Sequence, residues 1–154
     1  MIVLRDMNKQ EFDIYRSLFI NEYAQDLQQS REYLVEKARV KATEAIDNSL
    51  SEGVSTPSFQ LWCIEQRDKP DEVIGFLWVS ITAPLAWVYD FYIYPAWRSR
   101  GFGSLALSEM KRLLKERGIG EVGLRVAPEN DSAKALYEKQ GFHITGINMS
   151  QSLH

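Results

Sequence analysis

Arg98-Ser99-Arg100-Gly101-Phe102-Gly103 is the stretch on which the reading of this chain turns. It follows a strand-like run, residues 87–94, and leads into residues 104–117, where Leu107, Met110, Leu113 and Leu114 recur at helical spacing. Pro95 ends the strand, because proline has no N–H for a sheet ladder. Glycines at 101 and 103 let the backbone take positive φ and approach a ligand closely. The first amides of the helix have no intrahelical partner and sit at the positive end of its dipole. A pyrophosphate suits such a turn, and Arg98 and Arg100 can add charge-assisted hydrogen bonds to it. The same letters also suit a plain strand-to-helix turn, with glycines for geometry and arginines for solubility. A nucleotide P-loop is excluded, since no Lys-Ser or Lys-Thr follows the glycines. Gly101-Phe102-Gly103-Ser104-Leu105-Ala106 does match the dinucleotide fingerprint G-x-G-x-x-[GA]. That fold also needs an acidic residue at the end of the next strand, whereas Glu121 opens it, and too little chain follows for more parallel strands.

Outward from the turn, the pattern alternates in kind. Residues 2–5 read as a strand, and Phe12, Tyr15, Phe19 and Tyr23 as the buried stripe of a first helix. Ser30 is a candidate cap for a second helix, whose stripe of Leu34, Ala38, Ala42, Ala45 and Ile46 runs on toward Gly53. Residues 59–65 and 73–81 are aromatic and β-branched. The link Arg67-Asp68-Lys69-Pro70-Asp71 between them has turn chemistry, so a hairpin is expected. Past the central helix, Gly118 sits where a left-handed cap is wanted, residues 121–126 read as a strand and 131–140 as a helix. Residues 142–153 alternate as a terminal hairpin would. The expected architecture is α/β with a mixed sheet of six to seven strands, mostly antiparallel, with a central β-α-β crossover and helices on both faces.

At 154 residues, 45% apolar and 25% charged, residues 1–154 read as one soluble domain. A net charge of -3 argues against a broad nucleic-acid-binding surface, so any anion site is local. No apolar stretch is long enough for a secretory signal or a membrane span, and a cytoplasmic protein is expected. The single cysteine, Cys63, reads as a buried structural thiol. With histidines only at 143 and 154, no metal site is expected.

Arg98-x-x-Gly101-x-Gly103 followed by Asn130-x-x-Ala133-x-x-Leu136-Tyr137-x-x-x-Gly141-Phe142 resembles the two signature motifs of the GNAT superfamily of N-acetyltransferases. The early helix pair, Val73-Ile74-Gly75-Phe76 and the ending Met149-Ser150-Gln151-Ser152-Leu153 extend the likeness over most of the chain. Gly53-x-x-Thr56-Pro57, Leu61-Trp62 and Tyr89-Asp90-Phe91 resemble a bacterial subgroup of undefined acceptor. The resemblance implies acetyl-CoA as acyl donor. Its pyrophosphate would lie on Arg98, Ser99, Arg100, Gly101, Phe102, Gly103 and Ser104, and its pantetheine arm along Phe91, Tyr92, Ile93 and Tyr94. It further implies that Asn130 and Ala133 meet the coenzyme arm and that Tyr137 protonates the departing thiolate. Read without the resemblance, Asn130 is a helix cap, and Ala133, Leu136 and Tyr137 are a buried helical face. A homodimer through exposed strand edges is also a family-level implication.

Transfer of an acetyl group to a primary amine, on a small molecule, a peptide N-terminus or a lysine, needs a base, an oxyanion site and an acid for the sulfur. Asp90 is the favoured base, since it interrupts the aromatic run Trp87-Val88-Tyr89-Asp90-Phe91-Tyr92, where apolar surroundings would raise its pKa. A salt-bridged or strand-edge aspartate is the plainer reading, and Glu65 is a weaker substitute for the base. Period two sets Asp90, Tyr92 and Tyr94 on one face against Tyr89, Phe91 and Ile93 on the other. Trp62, Trp78, Trp87 and Tyr89 are candidates for lining an acceptor groove, although strand aromatics are more often core. A catalytically silent acyl-CoA-binding module and an NAD-dependent oxidoreductase are the alternatives.

Overall fold

The computed structural model describes residues 1–153. Strand β1 (Ile2–Asp6) leads into helix α1 (Lys9–Arg31), α2 (Val35–Ser49), β2 (Phe59–Gln66), β3 (Lys69–Thr82) and β4 (Leu85–Ile93), then α3 (Phe102–Glu116), β5 (Glu121–Leu124) and α4 (Asp131–Lys139). The five strands form one sheet in the order β1-β2-β3-β4-β5, antiparallel except for the parallel pair β4 and β5 that α3 connects. The mixed sheet with one crossover is as expected, but the strand count is lower.

The missing strands are those expected of the terminal hairpin: residues 142–153 carry no regular structure. Ile144, Ile147, Met149 and Leu153 are 68–93% exposed. An alternating pattern chooses faces, but a strand exists only where a ladder partner is available.

Each face of the sheet buries its own core. On one, Ala106, Leu107, Met110 and Leu114 of α3 pack on Leu4, Trp62, Ile64, Leu77, Val79 and Val88. On the other, Tyr15, Phe19 and Ile20 of α1 and Ala38, Ala42 and Ile46 of α2 cover Leu61, Cys63, Phe76 and Trp78. Helices therefore do cover both faces. Cys63 is buried as expected, and that burial pushes its thiol up to about 12.

Local chemistry sets the ends of the elements. Asn8 Oδ1 accepts from the Glu11 amide at 2.8 Å while Glu11 Oε1 accepts from the Asn8 amide at 3.0 Å, a reciprocal cap for α1. Arg5 bridges Glu11 and Glu65, each at 2.7 Å, and so ties β1, α1 and β2 together. Ser30 does not cap α2. It lies inside α1, where its hydroxyl donates to the Asp26 carbonyl at 2.8 Å, and the chain turns only at Glu32, with φ of 56°. Gly118, at φ of 80°, closes α3 as expected. Its amide donates to Lys115 O and that of Ile119 to Leu114 O, both at 3.0 Å, which satisfies carbonyls at the helix end.

Candidate active site

The parallel ladder between β4 and β5 covers only Leu85 to Val88 on β4, paired with Glu121 to Leu124 on β5. Beyond it the two strands part. A cleft of about 400 Å³ lies there, lined by Trp87, Tyr89, Asp90 and Phe91 of β4, by Leu124 at the end of β5 and by residues 125–128 after it. Glu22 and Asp26 of α1 and Asn130, Ala133 and Tyr137 of the α4 segment complete the wall.

A bulge in β4 shapes its floor. Trp78 pairs with Asp90 and Val79 with Val88, so Tyr89 is one residue too many for its partner strand. The extra residue breaks the strict alternation expected of this strand. Tyr89 does not join Phe91 on the α3 side. It stacks on Trp78 with ring centroids 5.0 Å apart, on the α1 side where Asp90 also lies.

Asp90 accepts a 2.6 Å hydrogen bond from the Tyr15 hydroxyl and has no ion-pair partner among the described residues. It keeps some accessible surface toward the cleft while protein packs it elsewhere. Burial away from water pushes its carboxyl up to about 6. Tyr15 and the Phe91 amide oppose that rise, and the negative charges of Asp26 and Glu22 add to it. The result is a carboxylate that titrates near neutrality, as a general base requires. Tyr15, fully buried, is held well above the ordinary phenol range by the same burial and by the neighbouring Asp90 charge. Tyr137 is half-buried and pushed up to about 12, first by desolvation and then by Asp90. It remains protonated at neutral pH and so has a proton to give.

The glycine turn reaches the same region from the other side of Phe91. A Cβ at Gly103 would press on the Leu136 side chain at 3.2 Å and touch Phe91 at 3.6 Å, so the turn packs closely where α3, β4 and α4 converge. Gly101 is the N-cap of α3 at φ of 86°, no side chain caps the helix, and a Cβ built there meets nothing within 4 Å. The amides of Phe102, Gly103 and Ser104 thus begin a helix beside open space, which is the donor set a pyrophosphate needs. Gln140 Nε2 donates to Ser104 Oγ at 2.8 Å and braces this turn against α4.

Other expected contacts fall differently. Arg98 Nε donates to the Ile93 carbonyl at 2.7 Å and its guanidinium lies 5.1 Å from the centre of the Tyr92 ring, so it pins the turn to the end of β4. Ser99 takes φ of 60°, and Arg100 lies over Trp97, 4.8 Å from its ring centre. Tyr92 and Tyr94 meet edge to face with centroids 5.4 Å apart on the α1 side, and Ile93 is in the α3 core, so of the four strand residues only Phe91 lines the cleft. Asn130 does cap α4, accepting from the Ala133 amide at 3.2 Å, and it lines the cleft as well. Trp62 is not a groove residue. It is buried in the α3 core. Glu65 is held by Arg5 and lies outside the cleft wall, which removes it as a base. Sequence reading missed Tyr15, Glu22 and Asp26. All three are on α1, about seventy residues from Asp90 in the chain, and only the fold brings them to it.

Comparison with known proteins agrees with this architecture. A sequence model of the acetyltransferase (GNAT) family matches residues 14–142. The uncharacterized N-acetyltransferase YycN of Bacillus subtilis is 29% identical, with 99% of each chain covered. Its crystal structure superposes with a TM-score of 0.91 at 28% identity, covering 100% of this chain and 99% of that one. The PaiA N-acetyltransferase of Thermoplasma acidophilum, solved in complex with coenzyme A, shares the fold with a TM-score of 0.68 at 21% identity over 96% of this chain and 93% of its own.

Proposed function

This chain belongs to the acetyltransferase (GNAT) family, and from that premise we propose that it moves an acetyl group from acetyl-CoA directly to a primary amine in a ternary complex. One domain spanning residues 1–154 carries the reaction. The observation that supports the reading most is that Asp90, with its carboxyl pushed up to about 6, and the protonated Tyr137 line a single cleft.

Acetyl-CoA supplies an activated acyl group on a thiol that leaves readily. The free amides at the start of α3 bind its pyrophosphate, with Arg98, Ser99 and Arg100 shaping the turn around Gly101. The backbone from Phe91 to Tyr94, at the end of β4 and beyond the reach of β5, is the track for the pantetheine arm, with Asn130 and Ala133 on its other side. Asp90 takes a proton from the incoming ammonium and frees the lone pair. The N–C bond forms, the C–S bond breaks, and Tyr137 gives its proton to the sulfur. The products are an amide and a free thiol. The second proton lost by nitrogen restores Tyr137 through solvent, and Asp90 releases the first to bulk water. Two copies of the chain associate through the open edge of β5.

The test is thiol release from acetyl-CoA against a panel of primary amines, with Asp90→Asn and Tyr137→Phe beside the wild type. Release that depends on the amine, and that falls at least about a hundredfold in kcat for either variant, is the expected result. Saturable coenzyme binding without release for any amine would leave only a silent acyl-CoA-binding module.

A further inference from the structure

The glycine turn and the helix that carries Tyr137 are joined through one residue. Gln140 is the C-cap of α4, just beyond Tyr137 in the chain, and it lies against α3. Its Nε2 donates to Ser104 Oγ at 2.8 Å and to the Ser104 carbonyl at 3.2 Å. Its own backbone carbonyl accepts from Lys111 Nζ at 2.9 Å. Ser104 and Lys111 are two turns apart on one face of α3, so the end of α4 is stitched to that helix at two heights. Only the stitch at Ser104 uses the Gln140 side chain.

The Ser104 carbonyl decides which way the amide faces. A carbonyl oxygen can only accept, so the Gln140 nitrogen has to point at Ser104 and Oε1 away from it. Oε1 is buried there with no hydrogen-bond partner among the described residues, a cost that the contact with Ser104 has to offset. Because Ser104 Oγ accepts this N–H, its own proton has to point elsewhere, and it donates to no group among the described residues. A serine in the first turn of a helix otherwise tends to bond nearby backbone. Gln140 thus leaves a half-buried hydroxyl as a spare donor beside the free amides of Phe102, Gly103 and Ser104.

We propose that Gln140 is a positioning residue for the acetyl donor, holding the Ser104 hydroxyl so that it donates to the coenzyme pyrophosphate. This rests on the acetyltransferase reading, in which the start of α3 binds that group. Gln140 acts through Ser104 and does not touch the reacting atoms. A hydroxyl already aimed loses little rotational freedom when the anion arrives, so the gain lies in donor affinity and not in the chemical step. The bond to Lys111 comes from the Gln140 backbone and survives a change of side chain, so α4 and Tyr137 keep their seat when the amide is removed.

The experiment titrates coenzyme A calorimetrically into the wild type, Gln140→Met, Ser104→Ala and the double variant. Methionine keeps the length of the glutamine side chain and removes its N–H. Gln140→Met is expected to weaken coenzyme binding by about three- to tenfold, and Ser104→Ala by at least as much. The double variant is expected to bind no more weakly than Ser104→Ala alone, because the effect of Gln140 passes through the hydroxyl. In thiol release with the amine of the panel turned over fastest, KM for acetyl-CoA rises in Gln140→Met by the same factor while kcat changes by less than about twofold. Wild-type affinity in either single variant, an additive loss in the double variant, or a loss confined to kcat overturns the proposal and makes Gln140 a packing residue of α4. No binding of coenzyme A by the wild type counts against the acetyltransferase reading itself.

Discussion

Asp90 shows how one residue serves function against stability. Its folded value of about 6 lies above the 3.8 of a free side chain, so between those pH values the folded chain keeps a proton that the unfolded chain releases. The contribution of this group to stability therefore falls as pH rises from about 4 to about 6, and the full penalty, up to about 3 kcal/mol, is present at pH 7. Asp90→Asn is expected to raise the unfolding free energy by about 1–3 kcal/mol in chemical denaturation while abolishing turnover. Loss of stability in that variant would mean that Asp90 is a structural carboxylate. Tyr15 makes a companion case, because its hydrogen bond holds Asp90 down. In Tyr15→Phe the acid limb of the kcat/KM profile, expected near pH 6, moves to higher pH. An unmoved limb would separate Asp90 from the rate. Asp90 was legible in the sequence because a carboxylate inside an aromatic strand run is conspicuous. Tyr15 was not, because within Phe12, Tyr15, Phe19 and Tyr23 its hydroxyl looks like one more edge of an apolar stripe.

Among the elements, the turn into α3 and the bulge in β4 do most to position the site. Both glycines of the turn were legible, and they act for different reasons. Gly101 takes its positive φ in open space, whereas at Gly103 an added Cβ would press on the Leu136 side chain. Gly101→Val is thus expected to fold, with a strain of about 1–2 kcal/mol, and to lose donor affinity. At Gly75 the constraint is packing, since a Cβ there would lie 2.2 Å from the Tyr92 carbonyl oxygen. Gly75→Ala has to displace β4 or β3 and is expected to lower the thermal midpoint sharply, as read by circular dichroism. A midpoint close to the wild type would show that the strands give way easily. The bulge at Tyr89 was not legible, because period two continues through the letters on either side and only the register with β3 reveals the extra residue. The same limit hid the outcome for residues 142–153, whose alternation is real but which pair with no strand among the described residues.

At the level of the whole molecule, the exposed apolar residues of that tail and the unpaired outer edge of β5 are complementary in kind. Light scattering is expected to give twice the mass of one chain, and Ile147→Asp with Met149→Asp to return it to one. A monomer in both would mean that the edge is tolerated bare. The mixed sheet, its crossover and the two helical layers were legible because hydrophobic period and turn chemistry agree along most of the chain. What draws the cleft together is not local: α1, β4 and the segment before α4 meet only in the folded sheet. The most direct test of the central claim is a calorimetric titration of acetyl-CoA into the wild type and into Gly101→Val. The account predicts saturable binding near one molecule per chain that is lost in the variant. No binding, equal binding by both proteins, or binding of NADH in its place would contradict it.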